Sequence, residues 1–510
     1  MKSYIKFNRI FFVNLFLTLF IIIGCSSEEK PKQKITDVIL SEKDSYFYVD
    51  TSVYPKQRRT LPIGVFDSGT GGLTVLDAIV NFDNYDNNTK SLNSKSDNQK
   101  DFQEEYFIYF GDQANMPYGN YSKENKVDLL KEHIIKDVQF LISDKYYSTS
   151  NEINYKTDKQ PVKAIVVACN TATAYGLEDI KEFMSISGLN IPVIGVIEAG
   201  VKGALNGIGK SENACVAIMA TAGTVSSNGY VNTLNLWKNK LGYEAEITTF
   251  QQAGIGLAGA IDGSSDYIVK NANAIRLEYK GPSISNSDVK IDKNILPRYN
   301  FNRNGNDLLV KGDNANPEEI QLNSVQNYIK YHVVSLLEQI RISNSKNKLS
   351  SVILGCTHYP FYTASFDAEF KRLYYYKENG KYIYRDYMTE NITLIDPAVN
   401  TSKELYEYLA ENNMFNENDI TNSEFYLSVA NPNNKNNLID SSGNFYYDYK
   451  YGRNEGFIQE YVKSLPFSAK TINDDIAGRL ESTIPFTFSL IKDFNRKNEK
   501  LKYLSDEEKL

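Results

Sequence analysis

The sequence predicts an α/β fold with largely parallel sheets. Two observations carry this. Short apolar runs of strand length alternate with stretches of helical spacing, and three of those runs end in polar clusters at matching places. Ordered sequence is expected from about residue 61. The strand-like runs are 63–66, 106–110, 164–168, 193–197, 215–219, 352–354 and 393–395, with helical spacing over 123–143 and 324–340. Polar segments interrupt this alternation. Residues 81–98 hold six asparagines, 143–160 is similar, and 281–317 has no sustained period and many Asn, Asp and Gly. These read as surface insertions, because loops tolerate length at small entropic cost.

Composition limits the function classes. At 510 residues, 42% hydrophobic and 13% aromatic, the chain is too apolar for disorder and too long for a small disulfide scaffold. At roughly 100–200 residues per domain, the length suggests two to four domains. The net charge of −7 provides no general basic surface for nucleic acid. Four cysteines and three histidines are too few for a zinc ribbon or a disulfide framework, and no metal site is expected.

The first residues read as an address. Lys2, Lys6 and Arg9 precede an apolar run, 10–23, broken only by Asn14 and Thr18. A membrane span needs about 20 residues, so this shorter run fits the apolar region of a secretory signal. It ends Ile22-Ile23-Gly24-Cys25, which resembles the lipobox of bacterial lipoproteins. That resemblance implies cleavage before Cys25, lipidation of Cys25, a signal peptide over 1–24 and a tether over 25–60. It places the protein on a bacterial membrane, on the periplasmic or cell-surface side; an uncleaved signal anchor is the alternative.

Chemistry concentrates at three strand ends. One run enters Asp67-Ser68-Gly69-Thr70-Gly71-Gly72, a second Cys169-Asn170-Thr171, and a third Cys356-Thr357-His358-Tyr359-Pro360. In parallel α/β sheets ligands bind outside the carboxyl ends of strands, where these groups fall. The glycines after Asp67 allow backbone N–H groups to cradle a carboxylate or phosphate at a helix start. No Gly-Lys-Ser/Thr follows, and Thr74 stands where a dinucleotide fingerprint needs its third glycine, so a small carboxylate is preferred to a nucleotide. Cys356 and His358, two residues apart, project to one side of extended chain. An imidazole or a helix N-terminus nearby would lower a thiol pKa toward working pH. Cys215, inside an apolar run, reads as core, and His133 and His332 read as solvated or core helix residues.

The blocks IGVFDSGTGGLTVL (63–76), FGDQANMPYG (110–119), VACNTATA (167–174), PVIGVIEAG (192–200) and LGCTHYPF (354–361) closely resemble glutamate racemase, of the Asp/Glu racemase superfamily. ATAGTV (220–225) and IDPA (395–398) agree, and 425–429 resembles the closing strand of that family. The resemblance implies two similar Rossmann-like α/β domains with the active site in the cleft between them. Domain one would span 60–197 plus 388–510, and domain two 198–387, with an insertion near 264–325. The resemblance implies racemisation of glutamate without a cofactor, supplying D-glutamate for peptidoglycan. Cys169 and Cys356 would be the catalytic thiol pair on opposite faces of the α-carbon, with Asp67 and His358 assisting. Ser68, Asn170, Thr171, Thr221, Thr224 and Thr357 would bind the amino-acid substrate, and the Pro117-Tyr118-Gly119 turn would close one side of the pocket.

The chain also departs from the family. Ala253-Gly254-Ile255-Gly256 stands where the family has Ala-Cys-Pro-Leu, and Asp262 stands near a usual glutamate. These departures leave open a racemase of aspartate or another amino acid. A non-catalytic amino-acid-binding lipoprotein is the reading from another class. A cysteine hydrolase predicts one nucleophile, and the second strand-end cysteine argues against it. The expected partners are a small amino acid and, through Cys25, a membrane; a homodimer is left open.

Overall fold

The structure, a computed structural model, describes residues 32–510; the signal-like run and Cys25 lie outside the described residues. In chain order the strands are β1 (Ile63–Asp67), β2 (Phe107–Gly111), β3 (Ala164–Val167), β4 (Val193–Gly195), β5 (Ala214–Ala220), β6 (Ile247–Ala253) and β7 (Leu308–Gly312). They continue as β8 (Pro317–Leu322), β9 (Leu349–Gly355), β10 (Lys377–Glu378), β11 (Lys381–Tyr382), β12 (Met388–Ile395), β13 (Glu424–Ala430) and β14 (Val462–Pro466). The expected α/β class is found. One sheet runs β14-β13-β2-β1-β3-β4 and a second runs β12-β9-β5-β6. All pairings within them are parallel except β13 with β14.

Parallel strands covered by helices on both faces read as unbroken apolar runs. Ile63, Val65 and Phe66 of β1 and Val216, Ala217 and Ile218 of β5 are accordingly fully buried. Both sheets reverse winding at the same place. β1 has β2 on one side and β3 on the other, and β5 has β6 on one side and β9 on the other. Such a reversal leaves a crevice beyond the strand ends, because the two crossover connections diverge there. Asp67 ends β1 and Cys169 follows β3; Thr221 follows β5 and Cys356 follows β9.

Three expectations change. The span 25–60 is not a tether throughout: a helix over Ile35–Ser41 buries Ile35, Val38 and Ile39, and Phe47, Val49 and Tyr54 join the first sheet's core. The run 393–395 extends back to Met388 and pairs with β9, so the chain returns to the first sheet later than 388. The run 193–197 is strand only to Gly195, and Val196 opens the helix Val196–Asn206. The stretch 264–325 leaves the second sheet as an insertion carrying the β7–β8 hairpin. Among the described residues no helix is long and apolar enough to cross a membrane.

Candidate active site

The two cysteines are set by the same local device, a strand that ends as the next turn begins. Cys169 is the N-cap of the helix Asn170–Ile186, and its Sγ accepts a hydrogen bond from the Ala172 N–H at 3.4 Å. The Ser68 hydroxyl lies 3.8 Å from the same sulfur. The helix N-terminus and the hydroxyl favour a thiolate, but burial, and after it the charge of Asp67, push the Cys169 thiol up to about 12. The expected fall toward working pH is therefore reversed at Cys169, because desolvation outweighs the helix end.

Asp67 closes its own turn. Its Oδ2 accepts from the Gly69 N–H at 3.1 Å and the Gly72 N–H at 3.0 Å. Gly72 has no room for a side chain, since a Cβ there would lie 2.4 Å from the Asp67 Cβ. Gly71 lies between Asp67 and the other half of the site: a Cβ on it would meet Asp67 Oδ2 at 3.5 Å and Thr357 Oγ1 at 3.8 Å. The glycines thus permit close packing around the carboxylate as well as a tight turn.

Cys356 has a different environment. Its Sγ lies 3.7 Å from His358 Nδ1, and the Thr357 hydroxyl lies 3.4 Å from the same nitrogen. His358 Nε2 meets Asp262 Oδ1 at 3.1 Å. Burial alone would lower the imidazole's pKa, but Asp262 and Cys356 together raise it to about 10. His358 therefore carries a proton at neutral pH, and its cation lies against Cys356. Asp262 is held below the usual carboxylate range: burial opposes this, and His358 and Arg479 prevail.

Contacts between the sheets bring the clusters together. The Tyr230 hydroxyl, from the second sheet's side, donates to Asn170 Oδ1 at 2.9 Å. A Cβ on Gly119 would come within 3.8 Å of the Gly223 Cα, so the Pro117-Tyr118-Gly119 turn faces the Thr221–Thr224 turn. There Thr221 caps the helix Ala222–Ser226, with its Oγ1 3.0 Å from Thr224 Oγ1. Thr171 stands on the first turn of the Cys169 helix. A cavity of about 230 Å³ adjoins the seam, lined among others by Ala168, Asn170, Cys356, Thr357 and Asp396; neither Cys169 nor Asp67 lines it.

The Tyr118 side chain is a correction. Its hydroxyl is hydrogen-bonded between Asp112 Oδ2 and Asp137 Oδ2, at 2.7 and 2.6 Å, inside the first sheet's body, so the Tyr118 side chain is turned away from the site. Cys215, His133 and His332 are buried in the core. Arg479, on the helix Asp474–Thr483, places its Nη1 3.1 Å from Asp262 Oδ1, and no motif in the sequence marks it. Gly254 is also explained. A Cβ there would fall 1.9 Å from the Tyr359 hydroxyl, which donates to the Gly254 carbonyl at 3.3 Å. The Tyr359 phenol thus occupies the space that a residue-254 side chain would take. Among the described residues no group of three or more His, Cys, Asp or Glu side chains could hold a metal ion.

The chain is 35% identical to the glutamate racemase of Oceanobacillus iheyensis over 179 residues, which is 35% of this chain and 48% of that protein. It is 37% identical to that of Aquifex pyrophilus over 174 residues, 34% of this chain and 50% of that protein. The chain is similar to glutamate racemases. A longer match, 27% identical over 361 residues, covers 70% of this chain and 87% of the glutamate racemase of Clostridium novyi. The chain spans about half the length of the first of these racemases. Solved glutamate racemases from Bacillus anthracis and, in complex with D-glutamate, from Francisella tularensis align with 72% of this chain at 22% identity. They are covered over 87% and 88% of their lengths, with TM-scores of 0.41 and 0.38. No protein-family model matches the chain.

Proposed function

We propose that this protein racemises glutamate by a cofactor-independent two-base mechanism, with Cys169 and Cys356 as the bases. One observation carries the reading. Two buried cysteines stand just beyond strand ends of two separate sheets, Cys169 after β3 and Cys356 after β9, each with its own acid–base neighbour, Asp67 and His358. Cys169 is held as the neutral thiol by burial and by Asp67. His358 Nδ1 lies 3.7 Å from the Cys356 sulfur, close enough to exchange a proton with it. Racemisation from one side requires one thiolate and one thiol: the thiolate removes the α-proton from one face while the thiol delivers a proton to the other. Reaction from the other enantiomer needs the reverse state, with Asp67 and His358 as the acid–base partners of the two sulfurs. Backbone and hydroxyl donors of Ser68, Asn170, Thr171, Thr221, Thr224 and Thr357 would hold the carboxylates and stabilise charge developing on the α-carboxylate. The names of the relatives, glutamate racemases, support glutamate as the substrate.

The direct test is incubation of the purified protein with L-glutamate and no added cofactor. Optical activity should decay to zero, with slower decay or none for L-aspartate. Unchanged rotation of L-glutamate would reject the activity, and faster decay with aspartate would reject the substrate.

We also propose that the first 24 residues direct export and that Cys25 carries a lipid. The support is the sequence itself: three basic residues, a short apolar run and Gly24-Cys25. Cells fed a labelled fatty acid should yield labelled protein, and Cys25→Ser should remove the label. Retention of the label in that variant would refute the anchor.

A further inference from the structure

Asp262 Oδ1 serves two donors. His358 Nε2 and Arg479 Nη1 both lie 3.1 Å from that one oxygen. The donors come from opposite sides of the seam. His358 follows β9 of the second sheet, and Asp262 follows the helix Leu257–Ile261 after β6. Arg479 lies on the helix Asp474–Thr483, whose Leu480 is buried with Ile484 and Phe488 in the first sheet's core. The next helix, Pro485–Lys497, is fastened to the helix Leu73–Val80 by the Thr487 hydroxyl, which donates to Asp77 at 2.7 Å. The guanidinium is thus held by the half of the molecule that carries Asp67 and Cys169. It reaches the carboxylate that orients the histidine of the Cys356 half.

Stability does not explain the contact. The three side chains are 37% (Arg479), 26% (Asp262) and 22% (His358) exposed, and partly solvated ion pairs of this kind add little. The shared oxygen gives it another consequence, because any change at Arg479 alters what Asp262 offers His358. We infer that Arg479 is a positioning residue for the Cys356 side of the site: from across the seam it shares Asp262 with His358 and so sets how strongly that carboxylate holds the His358 ring and its proton. Its kinetic consequence rests on the racemase reading; its effect on His358 does not.

The charged and titratable groups around the imidazole are Cys356 on its own turn, Asp262 beyond the helix Leu257–Ile261, and Arg479 behind Asp262. The guanidinium competes for the carboxylate and repels the imidazolium. Its removal should therefore make His358 bind its proton more tightly. With only three histidines in the chain, two of them in the core, the His358 resonance can be followed by NMR in the full chain labelled at histidine. In Arg479→Gln, without substrate, the His358 titration should move upward by roughly 0.5–1 pH unit, less than the 1–3 of a direct neighbour. Arg479→Lys should leave it near wild type. In turnover, Arg479→Gln should lower kcat about 3–10-fold with a smaller change in KM, as loss of general acid–base alignment does. A His358 titration that is unmoved or moves downward in Arg479→Gln would overturn the inference, whether or not the protein racemises glutamate. An upward-moved titration in a protein inactive on glutamate would uphold Arg479's place and reject the racemase reading alone.

Discussion

Cys169→Ala and Cys356→Ala should each lower racemisation of glutamate by about 10²–10⁴-fold, the usual worth of a positioned acid or base. The double variant should be little worse than either single one. Each face of the α-carbon has one thiol, and net inversion needs both, so the second loss removes nothing further. Cys215→Ala is the control. Cys215 is buried within β5, and only burial raises its thiol, to about 12, so turnover should be retained. Steady-state rates from both enantiomers, with circular dichroism to confirm folding, check all four variants. A Cys169→Ala or Cys356→Ala protein that racemises at near the wild-type rate would remove that cysteine from the mechanism.

Asp67→Asn should move two measurable quantities in opposite directions. An amide oxygen can still accept from the Gly69 and Gly72 N–H groups, so the turn after β1 should persist. The negative charge disappears, however, and that charge is the second cause, after burial, of the high Cys169 pKa. The thiol should therefore ionise more readily. Alkylation of Cys169 by iodoacetamide near neutral pH should quicken by up to about 10-fold for each pH unit regained. Racemisation should fall by about 10²-fold, because an amide cannot take up the thiol proton. Quantitative mass spectrometry of the Cys169 peptide reads the first effect, and polarimetry reads the second. Slower alkylation together with normal turnover would mean that Asp67 only shapes the turn.

The thiol pair was legible because polar, reactive residues at strand ends have no packing role that explains them. Cys169 and Cys356 announced a crevice, whereas Cys215 between Ala214 and Val216 announced a core. The fold class was legible for the same reason as β1 and β5: strands buried on both faces leave unbroken apolar runs. Other elements were hidden by composition. β6 reads Ile-Thr-Thr-Phe-Gln-Gln-Ala, a half-exposed edge strand with little apolar signal. The helix Ile35–Ser41 is short and followed by Glu42, Lys43 and Asp44, so its buried Ile35, Val38 and Ile39 resembled a polar leader. Tyr118 shows a second limit. A turn motif identifies where the backbone bends, but the direction of its side chain depends on Asp112 and Asp137, which the motif does not specify. Arg479 shows a third, since its partner Asp262 is far away in sequence and on the other sheet's side.

The central claim is that two thiols act on opposite faces of one carbon, and labelling in D₂O tests it most directly. Starting from either enantiomer at low conversion, the product should carry deuterium at the α-carbon while the recovered substrate stays largely protonated. The removed proton and the delivered deuteron then belong to different sulfurs. Equal deuteration of recovered substrate and product, from both enantiomers, would mean that one group serves both faces and would contradict the account.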